Sequence, residues 1–360
     1  MNPSLRNSGP RDASPQSLRV VAIGGGTGLS TLLKGLKAYV PAPGEPLTAH
    51  AATPVISELS AVVTVSDDGG SSGRLRKEFN MLPPRDIRNC IVALSEDEAL
   101  LSKLFRHRFD KGSGLEGHSF GNLFLAALTS ITNDFAEAVR LSSEILLTRG
   151  HIYPATASNV ELEAQMDDGS KVRGETRITA SKGRIKELCL VPGNVEPLPQ
   201  TLEAIARADV ITIGPGSLFT SLIPNLLVRG IAEAIQTSPA IKIYICNLMT
   251  QANESLGLTA SDHIRALDNH AGGPVFDYAL VNRQPASSEL KAKYALEGAA
   301  QIVADLEAIE KMGVCPILGE YIEEAGVARH ATDAVARDLL EIAMRSPATR
   351  SKLSAEIARP

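Results

Sequence analysis

The chain has 360 residues, a formal net charge of −5 and a hydrophobic content of 44%. This length is sufficient for one large α/β domain or two smaller ones, and the apolar content is sufficient for a core that needs no disulfide or metal to be stable. Acidic and basic residues are interspersed, so the electrostatic footprint of a DNA- or RNA-binding protein is missing and we expect no nucleic-acid partner. No uncharged apolar run reaches about 18 residues, so no membrane span is expected.

The cysteines and the N-terminal segment bear on location. Cys90, Cys189, Cys246 and Cys315 are far apart in the sequence, which favours free thiols in a reducing cytosol over a zinc site or a disulfide framework. Residues 1–17 are polar and rich in Pro, Ser and Asn, which is typical of a disordered leader and not of a signal peptide. We therefore expect a cytoplasmic protein.

Short β-branched runs alternate with amphipathic helical patterns along most of the chain. The predicted strands are Arg19–Ile23, Ala61–Val65, Val210–Ile213, Ile241–Cys246 and Tyr278–Val281. The predicted helices are Leu29–Tyr39, Asp86–Leu94, Glu96–Phe105, Phe120–Thr129, Asp134–Leu146, Leu198–Ala206, Leu218–Gln236, Ser261–Asp268 and Gln301–Met312. This order predicts an α/β fold, a three-layer Rossmann-like architecture with a mainly parallel sheet.

One segment departs from this rhythm. Between about residues 151 and 192, alternating runs are separated by the tight-turn signals DDGS and ASKGR, which predicts a β-hairpin insertion. We expect a single α/β domain over residues 18–332 that contains this insertion. Residues 333–360 are expected to form a tail that is helical at first and then frayed.

The first strand leads into a glycine-rich loop, IGGGTGLS. Glycines let a backbone approach a phosphate closely, and the following helix directs its N–H groups at the anion. Strict G-x-G-x-x-G fails because Leu29 or Thr31 occupies the third glycine position, and the Walker A spacing fails as well. The predicted ligand-binding residues of this loop are Gly24, Gly25, Gly26, Thr27 and Gly28.

A second such loop, SDDGGSSGRLR, follows the second predicted strand. An acidic residue at the end of that strand can bond a ribose hydroxyl, or it can hold Mg²⁺ against a phosphate. An ordinary Asp-Gly turn is the structural alternative. The candidates are Asp67, Asp68, Gly69, Gly70, Ser71, Ser72 and Arg74, with Asp67 and Asp68 as the candidate catalytic residues and Asp67 as the possible Mg²⁺ ligand.

Further candidates follow along the chain. The guanidinium group of arginine can bind a phosphate through two hydrogen bonds, so Arg88 in LPPRDIRN is a candidate ligand-binding residue, together with the adjacent Asn89. His118 and Asn122 in GHSFGN precede an apolar helix, where Ser119 could equally be a simple N-cap. A third glycine loop, GPGSLFTS, contributes Gly214, Gly216 and Ser217, and Asn247 follows the next strand. From the sequence alone, Asp67→Ala and Arg88→Ala are expected to weaken ligand binding with little loss of fold.

These motifs together resemble the YvcK/CofD-like family. The resemblance rests on GGGTGLSTLLKGLK, AVVTVSDDGGSSGRLR, LPPxDIRN, GHSFGNLFLAAL, ITIGPGSLFTSLIPNLLV, NLMTQ and LTASDHI, and it runs from about Leu18 to Thr332. The chain looks more like the YvcK branch, the putative gluconeogenesis factors, than like the CofD branch of 2-phospho-L-lactate transferases. Two departures are Arg85, where the family usually has glycine, and Leu258, where it usually has tyrosine.

The resemblance implies a cytoplasmic bacterial protein that binds a UDP-sugar, such as UDP-N-acetylglucosamine or UDP-glucose. It also implies support of cell shape and wall synthesis during growth on gluconeogenic carbon sources. The family's nucleotide-sugar-binding tyrosine and arginine fall on Tyr294 in KAKYALEGA and Arg329 in EAGVARH. The resemblance implies no required cofactor, and it is compatible with a homo-oligomer.

The enzymatic alternative stays open at this point. A CofD-type transferase of deazaflavin coenzyme biosynthesis would use Mg²⁺ near Asp67 or Asp68 to move a phosphorus-containing group. A nicotinamide-dependent oxidoreductase is disfavoured by the failed dinucleotide fingerprint.

Overall fold

A central parallel sheet organises the molecule. The computed structural model describes residues 17–42, 55–96 and 100–344. Within them the sheet is formed by seven strands: β1 (Ser17–Gly24), β2 (Val55–Val63), β3 (His151–Pro154), β7 (Val210–Ile213), β8 (Ile241–Ile245), β9 (Tyr278–Asn282) and β10 (Cys315–Gly319). They lie in the order β10-β9-β8-β7-β1-β2-β3, and each neighbouring pair is parallel. The predicted α/β fold with a mainly parallel sheet is confirmed.

Helices cover both faces of the sheet. They are α1 (Gly26–Lys37), α2 (Gly70–Phe79), α3 (Arg85–Leu94), α4 (Leu100–Arg106), α5 (Phe120–Thr132), α6 (Phe135–Ile145), α7 (Glu175–Ala180), α8 (Pro199–Arg207), α9 (Ile223–Leu226), α10 (Ile231–Thr237), α11 (Ala260–Ala271), α12 (Ser288–Ala295), α13 (Leu306–Lys311) and α14 (Thr332–Met344). In α1, Leu29, Leu32, Leu33 and Leu36 are all buried, because their spacing places them on one helical face.

The long helix predicted over Leu218–Gln236 is interrupted. A single π-helical turn, Leu218–Leu222, is followed by α9 and α10. Pro224 cannot donate a backbone hydrogen bond, and Gly230 adopts a left-handed φ of +77° before α10. Within the described ranges, no single helix is long and apolar enough to span a membrane, and Leu218–Leu226 with Ile231–Thr237 meets those criteria only as a pair bent by 76°.

The antiparallel insertion is shorter than the predicted 151–192. It consists of β4 (Glu161–Met166), β5 (Lys171–Arg173) and β6 (Ile185–Val191) in the order β5-β4-β6, with α7 between β5 and β6. By contrast, β3 pairs in parallel with β2 and belongs to the main sheet. A short β-branched run such as HIYP indicates a strand, but it does not indicate which sheet the strand joins.

The two chain ends differ from the predicted boundaries. Ser17 already belongs to β1, and residues 1–16 lie outside the described part. Helix α14 packs against α1 and buries Val335, Ala336, Leu339, Leu340 and Ile342. The close approach is visible at Gly35, where a Cβ atom would lie 2.7 Å from the Thr332 carbonyl oxygen. The core therefore continues to Met344, and residues 345–360 lie outside the described part.

A small hairpin completes the fold. Strands β11 (Ile322–Glu324) and β12 (Ala328–His330) pair antiparallel, with Glu323 opposite Arg329. This hairpin follows β10 and leads into α14. It brings β12 to the carboxyl edge of the main sheet, because the His330 Nε2 atom lies 3.0 Å from the Cys246 carbonyl oxygen just beyond β8.

Candidate functional site: a cavity between two glycine loops

The strand order reverses next to β1. Strands β2 and β3 lie on one side of it and β7 to β10 on the other, which makes the gap between β1 and β7 a topological switch point. Connections leave such a point in opposite directions and open a crevice at the carboxyl ends of the strands, where α/β proteins bind their ligands. A cavity of about 600 Å³ lies there. It is lined by residues 25–28, 215–217 and 247–253, with Thr179, Ser221, Tyr294, Glu297, Ala299, Ala328 and His330.

The first and third glycine loops form two touching walls of this cavity. A Cβ atom on Gly28 would lie 2.2 Å from the Pro215 carbonyl oxygen and 3.0 Å from the Gly216 nitrogen. On Gly25 it would lie 2.6 Å from the Thr64 methyl group, and Gly26 has a φ of +63°. Glycine is required in this loop because the backbones approach each other more closely than side chains allow.

Helix α1 starts in the cavity wall. Gly26, Thr27 and Gly28 form its first turn, whose N–H groups have no acceptor within the helix. The helix dipole adds partial positive charge at this end. The N–H of Gly26 donates to the Asp86 Oδ2 atom at 2.8 Å, which leaves those of Thr27 and Gly28 as candidate donors to an anion.

The third loop is held by side chains that follow β8. The Asn247 amide donates to the Gly216 carbonyl oxygen at 2.8 Å, and its oxygen accepts from the Gly216 N–H at 3.4 Å. The Gln251 amide donates to the Ser217 hydroxyl at 2.9 Å. These contacts fix the conformation of the loop. Because the Gly216 N–H is bonded to Asn247, the Ser217 hydroxyl is the donor that the loop offers to a ligand.

The opposite wall comes from the C-terminal part of the chain. The half-buried Tyr294 ring lines the cavity, and its hydroxyl accepts a hydrogen bond from the Ala328 N–H at 3.2 Å. Burial lowers the pKa of His330 to about 4, so this imidazole is neutral at physiological pH. Arg329 lies between the lining residues Ala328 and His330 in β12, is exposed, and makes no ion pair with the residues that the structure describes. Successive side chains of a strand point to opposite faces, so the Arg329 side chain leaves β12 on the face opposite to those of Ala328 and His330.

The cavity lining is notable for its charge. Among the residues that the structure describes, the lining contains neither Lys nor Arg, and Glu297 is its one carboxylate. An anion in the cavity would therefore be bound by backbone N–H groups, hydroxyls and the α1 dipole.

The second glycine loop has a different environment. The buried Asp67 accepts from the Arg85 guanidinium and, at 3.0 Å, from the Gly69 N–H. Asp68 accepts from the backbone and the hydroxyl of Thr176, which attaches the start of α7 to this loop. Arg85, the residue that departs from the family pattern, is thus the ion-pair partner of Asp67. None of residues 67–74 lines the cavity at the switch point.

The remaining predicted residues form a buried polar network behind the second loop. Arg88 is 8% exposed and donates to the Ser119 hydroxyl, to the Asn122 side-chain oxygen at 3.0 Å and to the Asn89 side-chain oxygen at 2.8 Å. The Ser71 hydroxyl lies 2.9 Å from His118 Nδ1. Ser119 is also the N-cap of α5. This network holds α2, α3 and α5 together and does not reach the cavity.

Two carboxyl groups near the loops have raised pKa values. Burial, followed by the charge of Asp67, raises the pKa of Asp86 to about 6. Burial and the charges of Asp67 and Asp86 raise the pKa of Glu175 to about 9. Glu175 is half-buried beside the second loop, so crowding of like charges concentrates there and not in the cavity.

The residues around Asp67 do not fit a resident Mg²⁺ ion. Asp67 Oδ2 is buried without a hydrogen-bond partner, which leaves one oxygen free, but the Arg85 guanidinium already neutralises this carboxylate. Across the described ranges, no three His, Cys, Asp or Glu side chains form a metal-binding group. Asp67 is therefore a structural ion-pair partner of Arg85.

Sequence reasoning missed several cavity residues. Asn253 and Glu297 lie in turns without a glycine-rich or charged pattern, Thr179 belongs to the insertion, and His330 is half-buried in the hairpin. The available signal was the position of the segment that directly follows β8, and it identified Asn247. Asp86 was visible only as an acidic residue in the first turn of α3.

The fold is that of a doubly wound α/β protein with a cavity at its switch point. The family model described as "2-phospho-L-lactate transferase CofD" matches residues 20–322. The chain is 49% identical over 323 residues to the gluconeogenesis factor of Halalkalibacterium halodurans, covering 89% of this chain and 95% of the relative. It is 46% identical over 328 residues to the gluconeogenesis factor of Bacillus subtilis, covering 91% of this chain and 98% of the relative.

A solved structure supports the same assignment. The crystal structure of a Bacillus halodurans protein matches with a TM-score of 0.84 at 48% sequence identity, covering 90% of this chain and all of that one. The chain belongs to the YvcK/CofD-like family, and the relatives cited above are named gluconeogenesis factors.

Proposed function

We propose that the protein is a cytoplasmic UDP-sugar-binding regulatory protein of the gluconeogenesis factor type. The observation that carries the proposal is the cavity at the switch point, where two glycine loops and the start of α1 supply anion donors that are fixed in place before binding. Its volume of about 600 Å³ is in the range of nucleotide-sized ligands.

The lining suggests how such a ligand is arranged. The diphosphate is bound between the first turn of α1 and the loop at Gly216 and Ser217, and the family resemblance assigns Arg329 to the nucleotide sugar. The Tyr294 ring offers an aromatic face to the base. The amides of Asn247 to Asn253 and the carboxylate of Glu297 are available to sugar hydroxyls.

A binding role without turnover follows from what the lining offers chemically. His330 is neutral, with Nε2 committed to the Cys246 carbonyl oxygen, and none of the lining serine or threonine hydroxyls is bonded to it. The lining therefore supplies no activated nucleophile–base pair. The family resemblance extends this proposal to support of cell shape and wall synthesis during growth on gluconeogenic carbon sources, and the relatives cited above are named gluconeogenesis factors.

Isothermal titration calorimetry with UDP-N-acetylglucosamine and UDP-glucose tests the proposal. We expect saturable binding of at least one of them. Tyr294→Ala should lower the affinity about tenfold, because stacking of a base on an aromatic ring contributes roughly 1–3 kcal/mol. Tyr294→Phe, which keeps the ring, should retain most of the affinity.

A matched pair of arginine variants separates the role of Arg329 from general electrostatics. Arg329→Ala should weaken binding about tenfold or more, since it removes the guanidinium that the family resemblance assigns to the nucleotide sugar, whereas Arg337→Ala on α14 should leave binding unchanged. Absence of saturable binding to the purified wild-type protein contradicts the proposed function.

A CofD-type transferase is the second candidate, and the match of residues 20–322 to the family model described as "2-phospho-L-lactate transferase CofD" favours it. Incubation with a guanylyl-activated 2-phospho-L-lactate donor, a deazaflavin acceptor and Mg²⁺ decides the matter. We expect no product by mass spectrometry, and formation of the phospholactyl-deazaflavin would replace the first proposal by this one.

A further inference from the structure

A second crevice lies on the other side of the second glycine loop. It has a volume of about 560 Å³ and is bounded by α2, by the Asp68–Gly70 turn and by the antiparallel insertion. We call it the loop-2 crevice. It shares no lining residue with the cavity at the switch point. The cavity at the switch point and the loop-2 crevice can therefore be changed by separate substitutions.

The start of α2 forms one end of the loop-2 crevice. This helix has ten residues, and its first turn lacks a side-chain cap. Gly70 has a φ of +49°, and a Cβ atom placed on it would meet no atom within 4 Å. The space beside Gly70 is therefore open, and the N–H groups of the first turn of α2 have no acceptor within the helix.

Arg76 provides an independent observation within the same crevice. Arg76 is only 7% exposed, yet it forms part of the crevice wall. Nη2 donates to the Val160 carbonyl oxygen, but Nη1 is buried with no hydrogen-bond partner. A buried guanidinium with an unsatisfied donor carries a free-energy cost that a bound anion would remove.

The lining of the loop-2 crevice has a net positive charge, because it holds four arginine and lysine side chains against the carboxylates of Asp68 and Glu161. Glu161 is paired with Arg173, and Asp68 accepts hydrogen bonds from Thr176. Lys77 and Arg177 also line the crevice, are exposed, and make no ion pair with any residue the structure describes. Lys77 and Arg177 are therefore available to a ligand, with the start of α2 and Arg76 behind them.

We propose that the loop-2 crevice is a second anion-binding site, for the dianionic phosphoryl group of a small phosphorylated molecule. The phosphoryl oxygens accept from the N–H groups of the first turn of α2 and from Arg76, while Lys77 and Arg177 neutralise the charge at the mouth. The crevice is much larger than a phosphate group, so it has room for the rest of a phosphorylated metabolite.

The experiment titrates the full-length protein with inorganic phosphate and with glycerol 3-phosphate, followed by calorimetry and by ³¹P NMR. The crevice variant is Lys77→Ala with Arg177→Ala. The matched control is Lys182→Ala with Arg184→Ala, which removes the same two charges from exposed positions of the insertion outside the crevice. All four side chains are exposed, so each double variant is expected to fold, which circular dichroism checks.

We expect saturable binding of both probes to the wild type and the control, and a loss of affinity of about tenfold or more in the crevice variant. Tighter binding of glycerol 3-phosphate identifies an ester as the ligand class, and equal or tighter binding of phosphate identifies the free ion. Absence of saturable binding to the wild type overturns the proposal, as does an equal loss in both double variants.

This test is independent of the UDP-sugar proposal. The crevice variant should bind UDP-sugars as the wild type does, and Tyr294→Ala should bind phosphate as the wild type does. A protein that binds phosphate in the crevice but no UDP-sugar would overturn the proposed function alone. The converse result would overturn the second site alone.

Discussion

The first and second glycine loops look alike in sequence and differ in their surroundings. The first is packed against the third loop, lines a cavity without Lys or Arg, and has open N–H groups at the start of α1. The second is crowded by charged side chains: Asp67 is paired with Arg85, and Asp68 is bound to Thr176. Glycine content therefore indicates a close backbone approach, but it does not indicate which surface faces the ligand.

Gly28→Ala is expected to have the largest effect on UDP-sugar binding, and it tests whether the first glycine loop forms the ligand site. Its methyl group would lie 2.2 Å from the Pro215 carbonyl oxygen, so the first and third loops must separate. We expect UDP-sugar affinity to fall roughly 100-fold or more, with a cost of about 1–3 kcal/mol in the free energy of unfolding. Calorimetry and urea denaturation measure the two effects.

Gly273→Ala is the control for this variant, because its nearest neighbour is the flexible end of Gln236 at 3.3 Å. It should bind as the wild type does. Undiminished binding by Gly28→Ala would show that the contact between the two loops does not shape the ligand site.

Arg88→Ala tests the buried network behind the second loop. The sequence alone predicts weaker binding with the fold intact, but the structure places this arginine in a network of three side chains. We expect the free energy of unfolding to fall by about 2–4 kcal/mol, since buried hydrogen bonds to a charged group are lost. The protein that remains folded should bind UDP-sugars within about twofold of the wild type. A variant of normal stability that fails to bind would place Arg88 in the site after all.

Asp86→Asn tests the carboxylate that connects the second loop region to α1. Its pKa is about 6 in the folded protein against an ordinary 3.8, so the folded state holds the proton more tightly than the unfolded state does. Stability must therefore fall as the pH rises from about 4 to 6, by at most about 3 kcal/mol. Asparagine keeps an acceptor for the Gly26 N–H and has no charge to lose, so this part of the pH dependence should disappear.

Urea denaturation between pH 4 and 7 measures the difference between the two profiles. The surface variant Asp110→Asn should keep the profile of the wild type. An Asp86→Asn variant that is less stable than the wild type at pH 7 would mean that the ionised carboxylate stabilises the fold as the helix cap of α1.

The smallest effect is expected from Asp67→Asn. Asp67 does not line the cavity at the switch point, so UDP-sugar affinity should change by less than about threefold, or about 0.7 kcal/mol. Titration calorimetry measures it. A much larger loss would mean that the second loop contributes directly to the UDP-sugar site, and the contrast between the loops would no longer hold.

Much of the fold was predictable because its strands are buried on both faces. Val210–Ile213 and Tyr278–Asn282 appear in the sequence as short uninterrupted apolar runs, and the structure places them as central strands. Strand β10 was missed because its sequence, CPILG, contains a proline and a glycine and lies at the sheet edge, where proline is tolerated. Helix α2 was missed because its glycines and serines are typical of a loop.

The candidate site was predictable in part for a different reason. Parallel strands end at one edge, so the loops after β1, β7 and β8 could be grouped from their positions alone. The direction in which each loop faces could not be predicted, because it depends on contacts between residues distant in sequence. Arg85 pairs with Asp67 and Arg88 with Ser119 and Asn122, and no local pattern distinguishes such arginines from phosphate ligands.

A co-crystal structure with UDP-N-acetylglucosamine tests the central claim most directly. The account predicts the diphosphate within hydrogen-bond distance of the Thr27 or Gly28 N–H and of the loop at Gly216 and Ser217, with the uracil against Tyr294. A diphosphate bound instead to the second loop, against Gly69–Ser72 and Arg85, would contradict it.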